Sequence, residues 1–351
     1  MSPTLNIADQ LIRISNVFIP GAAIKTKEYF IGRIQILAQC SSILDRPGTH
    51  IVIYGNRGVG KTSLATILLS FFSDMSKNVF ITTCDSVDTY ESLWRKLFKD
   101  VVIQKETEKE EWNDGDEDGT RIELDLPLPQ ESYKNFGVVE VMDVLRAIGG
   151  YPVIILDEFD RLSPSFNRRL FADTIKAISD NLLSVTLIVV GVGKDISSLI
   201  GEHSSIERNL VQIKLPEMSN SELLEIITKG LDVLGMKMDE KMQKEIVKFS
   251  CGYPHFTHLL SLYACRCAVL RSCLKVDFYP DFDLSVSLAI QESFESLRKG
   301  YHDATTTNIE SLYEEVSWAA ALAETDENYS FQDKDLLVPL GKILGKAVKY
   351  Q

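Results

Sequence analysis

His50-Ile51-Val52-Ile53-Tyr54-Gly55-Asn56-Arg57-Gly58-Val59-Gly60-Lys61-Thr62 joins an apolar, β-branched run to the helix-favouring stretch Ser63-Leu64-Ala65-Thr66-Ile67-Leu68-Leu69. The pattern G-x-x-x-x-G-K-T between a strand and a helix is a phosphate-binding loop in its required setting. Its glycines let the backbone turn with N–H groups inward, and the following helix points its positive end at the phosphates. Lys61 can reach the β and γ oxygens, and Thr62 can hold Mg²⁺. Residues Gly55, Asn56, Arg57, Gly58, Val59, Gly60, Lys61, Thr62 and Ser63 are therefore read as the nucleotide-binding segment.

Outward from this loop, five short apolar runs alternate with helical patterns: 51–54, 79–83, 153–156, 185–191 and 211–215. Strands this apolar are buried on both faces, which predicts a parallel sheet covered by helices. The spacing predicts those helices over 62–72, 90–103, 138–148 and 168–182. After Pro216 the strands stop. Ser219-Asn220-Ser221-Glu222 is a capping segment, and Leu223, Leu224, Ile227 and Leu231 follow at helical spacing. Further helices fit 239–249, 254–274 and 283–297. The expected organisation is an α/β nucleotide-binding core over 1–218, an all-helical lid over 219–280 and a third, helical region over 281–351.

A length of 351 residues suits two or three compact units. The chain lacks any run of 18 apolar residues, and Met1 to Gln10 has neither a basic region nor an apolar core, so a cytoplasmic protein without membrane span or signal peptide is expected. The six cysteines sit mostly in apolar segments and read as reduced thiols. A formal net charge of −13 argues against coating of nucleic acid by bulk electrostatics. Between Glu106 and Asp118 there are eight acidic residues and one basic one, inside an insert of about 105–130. Asp114, Asp116 and Asp118 approach a Ca²⁺-loop spacing, but Asp125 stands where the bidentate Glu belongs; a solvated acidic loop is the expected reading.

Binding phosphate is not hydrolysis, which needs a metal ligand and a group to orient water. The run Tyr151-Pro152-Val153-Ile154-Ile155-Leu156-Asp157-Glu158 delivers two carboxylates at the end of a buried strand, where open α/β sheets hold their ligands. Asp157 is the expected second Mg²⁺ ligand beside Thr62. Glu158 is the expected general base.

With both motifs in hand, the chain resembles the AAA+ ATPases, in particular the branch with origin-recognition ATPases and related prokaryotic archaeal-type ATPases. Asp157-Glu158-Phe159-Asp160-Arg161-Leu162 is close to that branch's second motif. Val17-Phe18-Ile19-Pro20 and Phe30-Ile31-Gly32-Arg33 are similar to its adenine-packing segment, which implies base contacts from Phe18 and Ile19. Ser205-Ile206-Glu207-Arg208 resembles the box that presents an arginine finger, making Arg208 a candidate to act on a neighbouring subunit's γ-phosphate; a helix-end salt bridge is the alternative. The resemblance implies a five-stranded parallel P-loop sheet, ATP and Mg²⁺ as cofactors, and a nucleotide-dependent homo-oligomer that drives an unidentified protein effector or client.

Two positions depart from the family pattern. The first sensor falls in Gly191-Val192-Gly193-Lys194, which offers no amide or hydroxyl. The second, usually Arg, is replaced by Gly252-Tyr253-Pro254-His255, similar to the G-x-P motif of STAND-type signalling ATPases, in which Pro254 would pack near the base and His255 could touch a β-phosphate or simply start a helix. Residues 309–324 and 332–345 resemble the first two helices of a winged helix; the chain ends at Gln351 before a recognition helix, so DNA binding through this element is not expected. Two alternatives to an assembly-controlling ATPase therefore stay open: a signalling switch of an anti-phage defence module, and a DNA-associated initiator or transposition-type regulator.

Overall fold

The computed structural model describes residues 6–24, 30–75, 77–99, 136–148, 151–181, 184–193, 206–292, 299, 301–302, 305, 312–325, 331–346 and 348. The chain divides into an α/β unit, Ala23–Leu215, and a second unit formed by Met1–Ala22 with Pro216–Gln351. The acidic stretch and Lys194 lie outside the described residues.

In the α/β unit, β1 (His50–Gly55), β2 (Val79–Thr83), β3 (Val153–Asp157), β4 (Thr186–Val192) and β5 (Leu210–Lys214) form one parallel sheet in the order β2-β3-β4-β1-β5. Each strand lies within a residue of its predicted run; the central strands β1, β3 and β4 are buried on both faces and so almost continuously apolar, whereas the edge strands β2 and β5, flanked by one neighbour each, are only partly buried. The pleat then divides the core. Val52, Ile154, Leu156, Leu187 and Val189 face an aromatic layer carried by α4 (Tyr90–Phe98), α5 (Val138–Ile148) and α6 (Arg168–Asp180). In that layer Trp94 stacks on Phe98 and Phe171. Ile51, Ile53, Ile155 and Ile188 are equally buried on the opposite face, where α3 (Lys61–Asp74) packs across the strands and α2 (Ile34–Leu44) covers β1.

At the start of β1, burial pushes His50 down to about 4, so its ring is neutral. Nδ1 accepts the Leu187 N–H, which puts the proton on Nε2 for donation to Ser179.

The second unit holds α1 (Ile7–Val17), α7 (Asn220–Leu234), α8 (Glu240–Ser250), α9 (Pro254–Leu270), α10 (Phe278–Glu292), α11 (Tyr313–Leu322) and α12 (Leu337–Leu344). Ser219 and Glu222 form the expected capping box on α7. The grouping differs from the sequence expectation at the N-terminus. Residues 1–22 join this unit because α1 docks on α7 and α9, with Gln10 Nε2 donating to Leu234 O at 3.1 Å and Arg13 Nη2 to Val233 O at 2.9 Å. The region is also not purely helical: β6 (Lys237–Met238) pairs in parallel with β7 (Lys275–Val276). Two residues per strand are too few to carry a period-2 signal.

Burial raises the thiols of Cys40, Cys84, Cys265 and Cys267, and all six cysteines are free. Among the described residues, no helix is long and apolar enough to cross a membrane.

Candidate functional site

The loop begins where β1 leaves the sheet. A Cβ on Gly55 would lie 2.4 Å from Leu215 O, and Leu215 N in turn donates to Tyr54 O at 2.7 Å, so the two backbones meet with no space between them. Gly55→Ala is therefore expected to force the loop off β5 and destabilise the protein by about 1–3 kcal/mol. Equilibrium urea unfolding checks this, and a loss below about 0.5 kcal/mol would contradict it.

Asn56, Arg57 and Gly58 are exposed at the tip, while Val59 is buried and pins the loop beneath them. Gly60 then caps α3 with φ +95°, in the left-handed region that favours glycine. The first N–H groups of α3 consequently open onto the loop.

Lys61 is the first residue of α3, and its Nζ donates to Gly55 O at 3.1 Å and Asn56 O at 2.7 Å. Burial pulls this ammonium below the ordinary lysine value, against the opposing pull of Asp160 and Asp157. Thr62 is exposed at the loop. Ser63 Oγ accepts the Ile24 N–H at 3.1 Å, so Ser63 anchors the segment entering the α/β unit.

The carboxylates arrive on β3. Asp157, almost fully buried, lies beside the Thr62 side chain and accepts the Glu158 N–H at 2.9 Å. Burial raises its carboxyl above the usual range, and the Glu158 N–H and the Thr62 hydroxyl pull the other way. The hydroxyl of Thr62 and the carboxylate of Asp157 thus form a pair of hard oxygen donors. Two protein ligands are what Mg²⁺ takes when waters and substrate phosphates complete its octahedron, so the residues fit the ion. Among the described residues, no cluster of three or more His, Cys, Asp or Glu offers a competing all-protein site.

Glu158 follows at φ +54°, ψ +38°, where the chain turns sharply out of the sheet. Its carboxylate accepts from Arg161 Nη1 at 2.7 Å. Asp160 closes the adjoining edge by accepting the Val192 N–H at 2.7 Å, and so occupies the end of β4 where a polar sensor was sought. Asp160 and Arg161 belong to the motif, but no local pattern assigns either of them a task. Their signal was the unbroken D-E-F-D-R-L run itself.

Arg208 sits in a 3₁₀ turn, Glu207–Asn209, and is exposed. Among the described residues it has no hydrogen-bond or ion-pair partner. The turn is anchored by Asn209 Nδ2 donating to Gly48 O and leads directly into β5, whose Leu210 pairs with His50 at the start of β1. Arg208 therefore lies at the edge of the sheet opposite Gly55, roughly 20 Å of strand away.

The remaining expected contacts gather in the helical unit. Phe18 is 1% exposed: a Cβ on Gly230 would lie 2.5 Å from its ring, and His258 meets it edge-on at 6.1 Å. This corrects the reading of Phe18 as an adenine contact, since its faces are already taken by core packing. Ile19 and Pro20 are half-buried. Pro254 opens α9 at its first turn, and His255 Nδ1–H donates to Pro20 O at 2.7 Å, tying the start of α9 to the N-terminal segment.

The AAA domain family matches residues 45–199. No curated protein matches the chain. Among solved structures, ORC2 of Aeropyrum pernix in ADPNP and ADP complexes aligns with a TM-score of 0.55 and 14% identity, covering 87% of this chain and 76% of its own. ORC1 of Aeropyrum pernix in complex with DNA aligns with a TM-score of 0.51 and 16% identity, covering 93% and 80%. A variant of RuvB from Thermotoga maritima gives 0.50 and 16%, covering 92% and 85%. At such identities the likeness speaks for the fold alone. With its phosphate-binding loop between β1 and α3, its acidic pair at the end of β3 and the strand order β2-β3-β4-β1-β5, the chain has the AAA+ fold and carries an AAA domain over residues 45–199.

Proposed function

We propose that this protein is an ATPase that hydrolyses MgATP and uses the nucleotide state to control its own assembly and a partner protein. The observation that carries the reading is the convergence of Lys61, Thr62, Asp157 and Glu158 on one end of the sheet, with the Thr62 hydroxyl beside the Asp157 carboxylate. The N-terminal N–H groups of α3 and the Lys61 ammonium receive the phosphates. Thr62 and Asp157 would hold Mg²⁺, which supplies charge neutralisation at the β and γ oxygens. Glu158 orients a water and accepts its proton as the water oxygen bonds to the γ-phosphorus. The bond to the bridging oxygen breaks, leaving ADP and phosphate. Phosphate release by the purified protein tests this: release that requires Mg²⁺ is expected, and none from protein that binds MgATP would overturn it.

Arg208 supports the assembly part of the reading. It is exposed, lacks a partner among the described residues and lies across the sheet from its own loop, so a γ-phosphate within its reach belongs to another subunit. Arg208→Ala is expected to be inactive alone and to regain turnover when mixed with Glu158→Gln, since some junctions then combine an intact Glu158 with an intact Arg208. Activity that stays at the single-mutant floor in verified mixed oligomers would remove Arg208 from the site.

A slow signalling switch is the second reading. It is favoured by the end of β4, where Val192 and Gly193 provide no polar side chain, and by His255 in place of an arginine, hydrogen-bonded to Pro20 O. Turnover measured with and without duplex DNA separates both readings from a DNA-associated regulator, whose hydrolysis would rise with DNA and fall with salt.

A further inference from the structure

Glu158 is held in an unusual way for a residue expected to act on water. Its backbone is in the left-handed region, a conformation that disfavours side chains other than glycine and persists only where the surroundings fix it. Two hydrogen bonds do so here: Glu158 N–H to Asp157 Oδ1 at 2.9 Å, and Arg161 N–H to Glu158 O at 2.9 Å. With the backbone fixed at both ends, only the side-chain torsions remain to choose where the carboxylate points. They are set by Arg161, whose Nη1 donates to Glu158 Oε2 at 2.7 Å. The short 3₁₀ turn Phe159–Arg161 brings the guanidinium back over the residue that precedes it.

Arg161 has a second acid in reach. Its Nη2 lies 3.9 Å from Asp85 Oδ1. Asp85 follows β2, in a loop fixed to the end of β3 by Cys84 N–H donating to Asp157 O at 2.8 Å. The Asp85 carboxylate itself accepts from Ser86 N–H at 2.6 Å, so it is a stationary acceptor rather than a swinging one. One guanidinium is thus flanked by two carboxylates, close to one and a short rotation from the other. None of the three is deeply buried: the side chains are 52%, 37% and 49% exposed for Arg161, Glu158 and Asp85, so exchange between partners requires no repacking.

We propose that Arg161 is a positioning residue that keeps the Glu158 carboxylate in reserve and releases it toward water by passing its guanidinium to Asp85. The inference rests on the reading of Glu158 as the general base. A carboxylate engaged by a guanidinium is already satisfied as an acceptor, and turning it to water first breaks that charge-assisted bond. Arg161 therefore sets the fraction of time the base is available, while MgATP binding is carried by other residues. An ion pair this exposed is weak, so the restraint is modest and readily reversed by whatever moves the β2 loop.

The test is steady-state turnover and MgATP affinity for wild type, Arg161→Ala, Asp85→Ala and the double variant, with melting temperatures alongside. Arg161→Ala is expected to raise kcat about 2- to 5-fold, the range set by the strength of a half-exposed pair, at unchanged affinity. Arg161→Lys, which keeps the charge without the fork, falls between. Asp85→Ala is expected to lower kcat, because the guanidinium loses its second seat, and to have no effect when Arg161 is already alanine. That dependence of one substitution on the other is a result a merely structural role would not give. An unchanged or lower kcat in Arg161→Ala, or independent effects of the two substitutions, would overturn the proposal. MgATP binding without turnover in wild type and Arg161→Ala alike would overturn the hydrolytic reading itself, and the restraint with it.

Discussion

Lys61→Ala is expected to cut ATP turnover by about 100- to 1,000-fold or more and to weaken nucleotide binding together with it. The reason is positional. Lys61 is the cation fixed at the base of the loop, at the start of α3, and its ammonium sits against the carbonyls of Gly55 and Asn56, at the mouth of the proposed phosphate cradle. Burial already disfavours that charge, so an anionic phosphate is the partner that best compensates it. Arg57 is exposed at the loop tip, and its long side chain does not replace a charge fixed at the loop's base. Because Lys61 is buried, the variant's melting temperature is measured in parallel, to separate loss of chemistry from loss of fold. Wild-type turnover in a folded Lys61→Ala preparation would take Lys61 out of the mechanism.

Glu158→Gln is expected to bind MgATP as the wild type does and to hydrolyse it about 100- to 10,000-fold more slowly. The amide keeps the shape and an acceptor oxygen for Arg161 but cannot take a proton from water. Asp157 and Thr62 are untouched, so the pair proposed to hold Mg²⁺ is retained. The expected signature is a kcat loss without a matching change in affinity, which single-turnover kinetics and direct nucleotide binding resolve. Equal losses in binding and turnover would assign Glu158 to nucleotide binding instead.

Much of this is written locally in the sequence. The central strands β1, β3 and β4 are continuous apolar runs because they are buried on both faces, and the G-x-x-x-x-G-K-T and D-E segments mark the strand ends they terminate. Val79–Thr83 and Val138–Ile148 fall on the predicted bounds. Long-range packing was not legible in the same way. Nothing local in Val17-Phe18-Ile19-Pro20 reveals that Phe18 closes over Gly230, or that Pro20 O accepts a hydrogen bond from His255; both depend on elements far apart in the chain. The Glu158–Arg161–Asp85 arrangement is hidden for the same reason, since Asp85 is brought to β3 only by the pairing of Thr83 with Asp157. The β6–β7 pair escaped because two residues per strand carry no periodicity.

The central claim, that the nucleotide bound at this site sets the protein's assembly, is tested most directly by the molar mass of Glu158→Gln in solution with MgATP, with MgADP and without nucleotide. The slow variant holds the ATP-bound form long enough to be weighed. A mass that rises to a multiple of the single chain with MgATP, and falls back with MgADP or no nucleotide, is the predicted result. A single-chain mass under all three conditions, with MgATP binding verified, would contradict it and leave the slow switch as the better account of the site.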